Sequence, residues 1–84
     1  NQHVRAKIIQ ALGMLGSQQS VNPLIEVLKE NVKVIRRNAV RSLGILGGAE
    51  AIAPLSEVAE QDKHPDIRSE AELALKQIAE RTIS

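Results

Sequence analysis

The sequence predicts a single all-helical domain, an α-solenoid of about two and a half stacked helical hairpins and five helices. The chain has 84 residues, 43% apolar and 25% charged, which is typical of one small soluble domain. Residues 4–30 align with residues 35–61, 31 positions later, with nine identities in 27 pairs, so the sequence contains an internal repeat. Apolar residues recur at helical spacing in each copy, and no segment has the alternation of a half-buried strand. The identities include Arg5/Arg36, Leu12/Leu43, Gly13/Gly44, Gly16/Gly47 and Pro23/Pro54.

Helices are expected at 2–15, 23–30, 33–46, 51–61 and 65–81. The first, third and fifth share one apolar pattern, with offsets of 0, 4, 7, 8 and 11 from Val4, Ile35 and Ile67. Asn22 is the expected N-cap before Pro23, and Pro65 opens the last helix. Short helices of this kind cannot bury their apolar faces alone, so their hairpins must stack side by side.

Four glycines in the two matching helices have two different expected roles. Gly16 and Gly47 are expected to end their helices as left-handed caps, a conformation that penalises a Cβ. Gly13 and Gly44 lie inside the helices, where glycine costs about 1 kcal/mol relative to alanine. We therefore expect each of these two to allow the close approach of a neighbouring helix.

Two motifs resemble a known family. Val4-Arg5 with Leu12-Gly13-Met14-Leu15-Gly16, and Ile35-Arg36 with Leu43-Gly44-Ile45-Leu46-Gly47, are similar to short HEAT-like repeats, including the variety first noted in phycobilisome lyases. The resemblance implies a right-handed superhelix with a half repeat at 1–16, a full repeat at 17–47 and a capping repeat at 48–84, in one domain over 1–84. A first copy with only its second helix indicates a fragment of a longer chain.

The two ends of the stack are expected to differ. In the last copy Glu72 stands where Val40 stood, and a polar outer face is what a capping repeat requires. Ile8 and Ile9 would have no covering helix at the other end. This predicts either further repeats upstream or self-association through the N-terminal face.

A recurring arginine, at Arg5, Arg36 and Arg68, follows the first apolar residue of each second helix. In similar repeats this arginine bonds to an acidic group of the preceding loop and forms a ladder between repeats. Glu30 and Asp62 are the expected acceptors, and an anion site is the alternative.

The resemblance implies that second helices line an inner, concave face. Arg37 and Arg41 share one side of their helix, and like charges at this spacing repel mildly, so helix stability does not explain them. They predict a basic patch for an acidic or amphipathic segment of a partner protein; a solvated basic face is the alternative. The candidate partner-binding residues are Lys7, Gln10, Met14, Lys33, Arg37, Asn38, Arg41 and Ile45.

Composition excludes several kinds of chemistry. The chain has no cysteine and no aromatic residue, so disulfides, thiolate nucleophiles, zinc–sulfur sites and aromatic stacking platforms are absent. His3 and His64 have no partner at metal-ligand spacing, and no nucleophile elbow or phosphate loop occurs. We therefore expect no catalytic residue, no metal and no cofactor, and no membrane span in a cytoplasmic protein.

The expected function is a non-catalytic scaffold that binds another protein. A subunit of a phycobilin lyase-like or other cofactor-handling complex is the alternative, on the resemblance alone. Nucleic-acid binding is a third possible function, which the distribution of charge along the chain disfavours. Residues 48–84 carry a net charge of −4, which would repel phosphates.

Overall fold

The regular structure of the described residues is entirely helical. A computed structural model describes residues 4, 5, 7, 8, 19 and 21–83. Its helices are α1 (Val21–Val27), α2 (Lys33–Leu46), α3 (Ala49–Gln61) and α4 (Pro65–Ile83). The described ranges thus contain four helices and no strand, where the sequence predicted five helices over the whole chain. Of the predicted helix 2–15, four residues are described, and all are helical: Val4, Arg5, Lys7 and Ile8.

Two helices begin where the sequence predicted and two do not. The predicted bounds of α2 and the start of α4 at Pro65 are confirmed. α1 begins at Val21 and not at Pro23, so the prediction that Asn22 is the N-cap was wrong. Pro23 still lies in the first turn, where backbone N–H groups have no intrahelical acceptor and none is lost.

The C-terminal end of α1 also differs from the prediction. The helix ends at Val27 and not at residue 30. The next three amides, of Leu28, Lys29 and Glu30, donate to carbonyls three residues earlier, at 3.0–3.2 Å, which is the tighter 3₁₀ pattern. In the second hairpin, α3 starts two residues early, at Ala49, which moves Pro54 from the first turn into the helix interior. Pro54 has no N–H for the carbonyl four residues before it.

The four helices form two layers. The extensive contacts join α1 to α2 and α3 to α4, which are the two hairpins, and α2 to α4 across the hairpins. α1 touches α3 over a shorter stretch. The second helices of the two hairpins, α2 and α4, therefore form one layer, which we call the second-helix layer. The first helices, α1 and α3, form the other layer, which we call the first-helix layer. The Cα atoms span 39 × 28 × 16 Å, so the molecule is flat and elongated.

One apolar core lies between the two layers. It buries residues from all four helices, and its members repeat the offsets found in the sequence. Burial of this kind supplies the main stabilising free energy of a small domain. The fully buried large side chains are Leu24, Ile35, Val40, Leu43, Leu55, Ile67 and Ile78.

Gly44 lies where α2 and α4 approach each other closely, as expected from the sequence. A Cβ added to Gly44 would lie 3.0 Å from the Ala74 Cβ and 3.1 Å from the Ala74 Cα. A Cβ here would require α4 to shift by a few tenths of an ångström, and a larger side chain would require a larger shift.

The prediction that Gly47 is a left-handed cap was wrong. Its φ of −72° and ψ of 154° are extended, which any residue can adopt. Space requires the glycine: an added Cβ would lie 2.6 Å from the carbonyl oxygen of Leu43 and 2.8 Å from the Cβ of Ala51. The Arg81 guanidinium, near the end of α4, donates to the carbonyls of Gly44 and Gly47 at 2.6 and 2.7 Å, groups that a helix end leaves without partners. The matching positions Gly13 and Gly16 lie outside the described residues.

Candidate functional site

The exposed surface of the second-helix layer, which we call the α2–α4 face, carries a row of ion pairs. Lys33 and Arg37 on α2 both contact the Asp66 carboxylate of α4, Nζ at 2.9 Å and Nη2 at 2.8 Å. One turn further, Arg41 makes a bidentate pair with Glu70, Nη2–Oε1 at 2.8 Å and Nε–Oε2 at 3.2 Å. Since later residues of α2 meet later residues of α4, the two helices run parallel.

These contacts neutralise much of the charge of the predicted basic patch. The structure brings Lys33, Arg37 and Arg41 to one face, but three cations stand against two carboxylates, so most of the positive charge is balanced locally. Asp66 and Glu70, their partners, were not among the predicted site residues. A signal was present, because both acids follow their arginines by 29 residues and lie four apart, as the arginines do.

The ion pairs stabilise the charged forms of their members. The hydrogen bond from Lys33, together with that from Arg37, lowers the pKa of Asp66 to about 2. The hydrogen bond from Arg41 lowers the pKa of Glu70, and the same bond raises the pKa of Arg41. Asp66, Glu70 and Arg41 are therefore held in their charged forms at neutral pH.

An apolar groove lies beside the last of these pairs. Ile45 of α2 is 57% exposed and Leu73 of α4 is 51% exposed, although both belong to well-packed helices. They line a cavity of about 230 Å³ together with Arg41, Glu70, Ala74 and Gln77. Ala74, which approaches Gly44 of α2 closely, forms an apolar base of the groove, and the Arg41–Glu70 pair forms a charged wall.

The remaining predicted site residues divide into two groups. Lys7 is helical and exposed, and Asn38 is half-buried on α2. Gln10 and Met14 lie outside the described residues. At the N-terminal side, Val4 and Ile8 are 56% and 54% exposed, which leaves large apolar side chains at the surface.

The recurring arginines join successive loops. Arg36 donates from Nε to Oδ2 of Asp62 at 2.8 Å and from Nη1 to the carbonyl of Glu30 at 2.9 Å. Arg5 pairs with the Glu30 carboxylate, and Arg68 donates to the carbonyl of Asp62. The expectation that the acid precedes its arginine was wrong: the carboxylate comes from the following loop, and the preceding loop supplies a carbonyl.

Asp62 is the central group of this ladder. Its side chain is 6% exposed and faces Arg36, which is 9% exposed. Burial alone would raise the pKa of Asp62, but the hydrogen bonds from Arg36 and from the backbone amide of His64 outweigh it, so the pKa lies below its ordinary value. The pair links α2 directly to the α3–α4 loop.

The first-helix layer has a larger cavity, which we call the α1–α3 cleft. It measures about 610 Å³ and opens where α1 has ended and α3 continues. Its apolar walls come from both helices, and charged residues of the two hairpin loops stand at its mouth. The lining includes Ile25, Leu28, Ala53, Pro54, Glu57, Val58 and Lys63.

Comparisons with known proteins identify the repeat. A family model described as HEAT repeats matches residues 1–76. A search of curated proteins finds no match. Within the described residues, no helix combines the length and the apolar character needed to cross a membrane.

Proposed function

Since the chain belongs to the HEAT repeat family, we propose that it is a non-catalytic scaffold that binds a protein partner on the α2–α4 face. HEAT repeats generally mediate protein interactions and are typically non-catalytic. The two-layer arrangement supports a right-handed solenoid of about two and a half repeats, in which the α2–α4 face is concave. Each further hairpin would extend this same face.

The observation that carries the proposal is the exposed apolar pair Ile45 and Leu73 beside a charged wall. An apolar centre within a polar rim is the usual anatomy of a protein interface. The groove of about 230 Å³ accepts one aliphatic side chain of a partner segment. Arg41 is 55% exposed despite its pair with Glu70, so it has donors left for a partner carboxylate.

The partner that fits is an amphipathic segment with an apolar residue next to an acidic one. Its apolar residue would enter the groove between Ile45 and Leu73, and its carboxylate would share Arg41 or Arg37. A phosphate backbone fits less well, because Asp66 and Glu70 stand among the cations and oppose a continuous row of negative charges.

Peptide selection tests this assignment. The 84-residue chain would be used to select from a displayed library of random peptides, and the selected peptides titrated against Ile45→Glu, Leu73→Glu and the matched control Ile52→Glu. Ile52 is 42% exposed but lies on α3. We expect each groove variant to weaken binding by at least about tenfold, since central apolar contacts dominate interface energies, and the control to bind normally.

Two results would reject the α2–α4 face. One is equal binding by wild type and both groove variants, with far-UV circular dichroism showing intact helices. The other is selective loss of binding in the Ile52→Glu control, which would assign the site to the first-helix layer. Selected peptides without an apolar residue beside an acid would reject the stated partner chemistry.

A further inference from the structure

The arginine ladder shows how a carboxylate is bound between two hairpins. Arg36 holds Asp62 through two donors, Nε to Oδ2 at 2.8 Å and Nη2 to Oδ1 at 3.2 Å. Its Nη1 donates to the carbonyl of Glu30, six residues earlier, at 2.9 Å. One end of the guanidinium is thus anchored on the preceding loop, and the opposite edge binds a carboxylate from the following hairpin.

Arg68 repeats only the anchored half of this arrangement. It stands 32 residues after Arg36, and its Nη1 donates to the carbonyl of Asp62, again six residues earlier. Within the described part of the chain, Arg68 has no further hydrogen bond and no ion pair. The Nε and Nη2 atoms of Arg68 are therefore without an acceptor there, whereas the same two atoms of Arg36 hold Asp62.

Arg68 lies on the side of α4 that faces away from α2. Glu70 and Ala74 of α4 both contact α2. Since side chains advance by about 100° per residue around an α-helix, these two residues lie about 160° and 120° from Arg68. Glu72 lies only about 40° from Arg68, and it is exposed, although its counterpart Val40 on α2 is fully buried. No described helix therefore covers the side of α4 where Arg68 stands.

The ladder also shows the form of the ligand that such an arginine binds. Asp62 belongs to the α3–α4 loop, and its Oδ1 accepts from the backbone amide of His64, two residues later, at 2.9 Å. This turn, in which an aspartate side chain bonds to its own backbone two residues on, holds the carboxylate in place for Arg36. The planar guanidinium matches the two carboxylate oxygens, which makes the contact specific as well as strong.

We propose that Arg68 is a binding site for a partner protein that presents a loop aspartate in the same kind of turn. The aspartate accepts from Nε and Nη2 of Arg68, as Asp62 does from Arg36. A basic residue of the partner lies beside Glu72, which has no ion pair with any described residue. An apolar helix fits this edge poorly, because it would bury the Glu72 carboxylate without a partner charge. The site is separate from the α2–α4 face, so the two surfaces bind independently.

The α3–α4 loop itself supplies the probe. A blocked peptide with the sequence of residues 60–65, Glu-Gln-Asp-Lys-His-Pro, would be titrated into the isotope-labelled 84-residue chain, and the backbone amide signals followed by NMR. We expect saturable shifts in the first turns of α4 and in the α3–α4 loop, at about millimolar peptide, because one exposed charged contact is weak. The same peptide with the change Asp62→Asn should cause no shifts.

Variants of Arg68 locate the contact in the protein. Arg68→Lys keeps the charge but lacks the planar pair of donors, so it should weaken binding of the peptide at least about fivefold. Arg68→Gln should abolish the binding. The matched control is Lys29→Gln, which removes an exposed positive charge near the other hairpin loop and should bind the peptide as wild type does. Far-UV circular dichroism checks that each variant is folded.

Four results would overturn the proposal. Equal shifts with the Asp62→Asn peptide, or unchanged binding by Arg68→Gln, would show that this guanidinium does not hold the carboxylate. Inorganic phosphate that binds at Arg68 more tightly than the peptide does would assign the site to phosphate. Self-association of the wild-type chain, measured by sedimentation equilibrium and lost in Arg68→Gln, would assign the site to a second copy of this chain.

Discussion

The two helix layers of this protein pack in different ways. In the second-helix layer, α2 and α4 meet where Gly44 faces Ala74, and an added Cβ would lie only 3.0 Å from the Cβ of Ala74. In the first-helix layer, α1 is seven residues long and α3 thirteen, and the α1–α3 cleft of about 610 Å³ remains between them. One layer therefore holds the repeats together, while the other leaves space between its helices. The cause is local: a glycine and an alanine allow contact, and the early end of α1 prevents it.

The buried pair Arg36–Asp62 stands at the boundary between the layers, and its loss should have the largest effect. Arg36→Met leaves a buried carboxylate without its partner, which typically costs about 3–5 kcal/mol. We expect a loss of that size in the free energy of unfolding, measured by urea denaturation. Arg5→Met, which breaks a pair at half-exposed side chains, should cost at most about 1 kcal/mol.

A double variant separates charge burial from packing at this boundary. Replacing both members, Arg36→Met with Asp62→Leu, removes the unpaired charge and should recover much of the lost stability. If the double variant is no more stable than Arg36→Met, the pair acts through the hydrogen bonds of Arg36 and Asp62 to the hairpin loops and not through charge burial.

Enlarging one residue in each layer tests the packing difference directly. Gly44→Leu should lower the free energy of unfolding by about 3 kcal/mol, because overpacked helices must separate. Ala53→Leu adds a larger side chain to the α1–α3 cleft, where Ala53 is exposed, and should change stability by no more than about 0.5 kcal/mol. Equal losses in the two variants would contradict the difference between the layers.

Acidification should lower the stability of the second-helix layer, and this effect should be smaller than those of the substitutions above. The pKa of Asp66 lies at about 2, below the ordinary 3.8, and that of Glu70 is also lowered. A lowered pKa means that the stabilisation is complete above the ordinary value and is lost as the pH falls toward the folded one. The thermal midpoint should therefore fall between about pH 4 and pH 2.

The variant Asp66→Asn sharpens this last test. It should be less stable than wild type at pH 7 but should lose less on acidification, because the titrating group is gone. Glu57→Gln, the same change at an exposed site on α3, is the control and should follow wild type. A wild-type acid profile in Asp66→Asn would show that the ion pairs of Asp66 do not stabilise the layer.

Local patterns sufficed for part of the fold. The period of apolar residues, together with the flanking turn residues, placed α2 correctly from Lys33 to Leu46. Gly44 was identified as a contact because glycine inside a helix has a cost that a close neighbour can offset. The end of α1 was missed, since nothing local distinguishes a last α-helical turn from the 3₁₀ pattern at Leu28–Glu30. The role of Gly47 was predicted wrongly, because a glycine required by lack of space for a Cβ and a glycine required by a positive φ look the same in a sequence.

The candidate site was predicted in its cations and missed in its carboxylates. Arg37 and Arg41 were visible as like charges that the helix itself does not explain. Asp66 and Glu70 lie on another helix, and their pairing depends on the parallel register of α2 and α4. That register places each acid 29 residues after its arginine, although the repeat offset between these helices is 32.

The sequence by itself determined that the chain is helical, that it repeats and which side of each helix is apolar. These properties depend on neighbours within a few residues, where spacing and side-chain type are sufficient. Only the tertiary structure decided which charges neutralise one another, where the cleft opens and which side chains of α4 meet α2. Those outcomes depend on how far one helix is displaced along another, a distance fixed by the packing of side chains that are remote in the sequence.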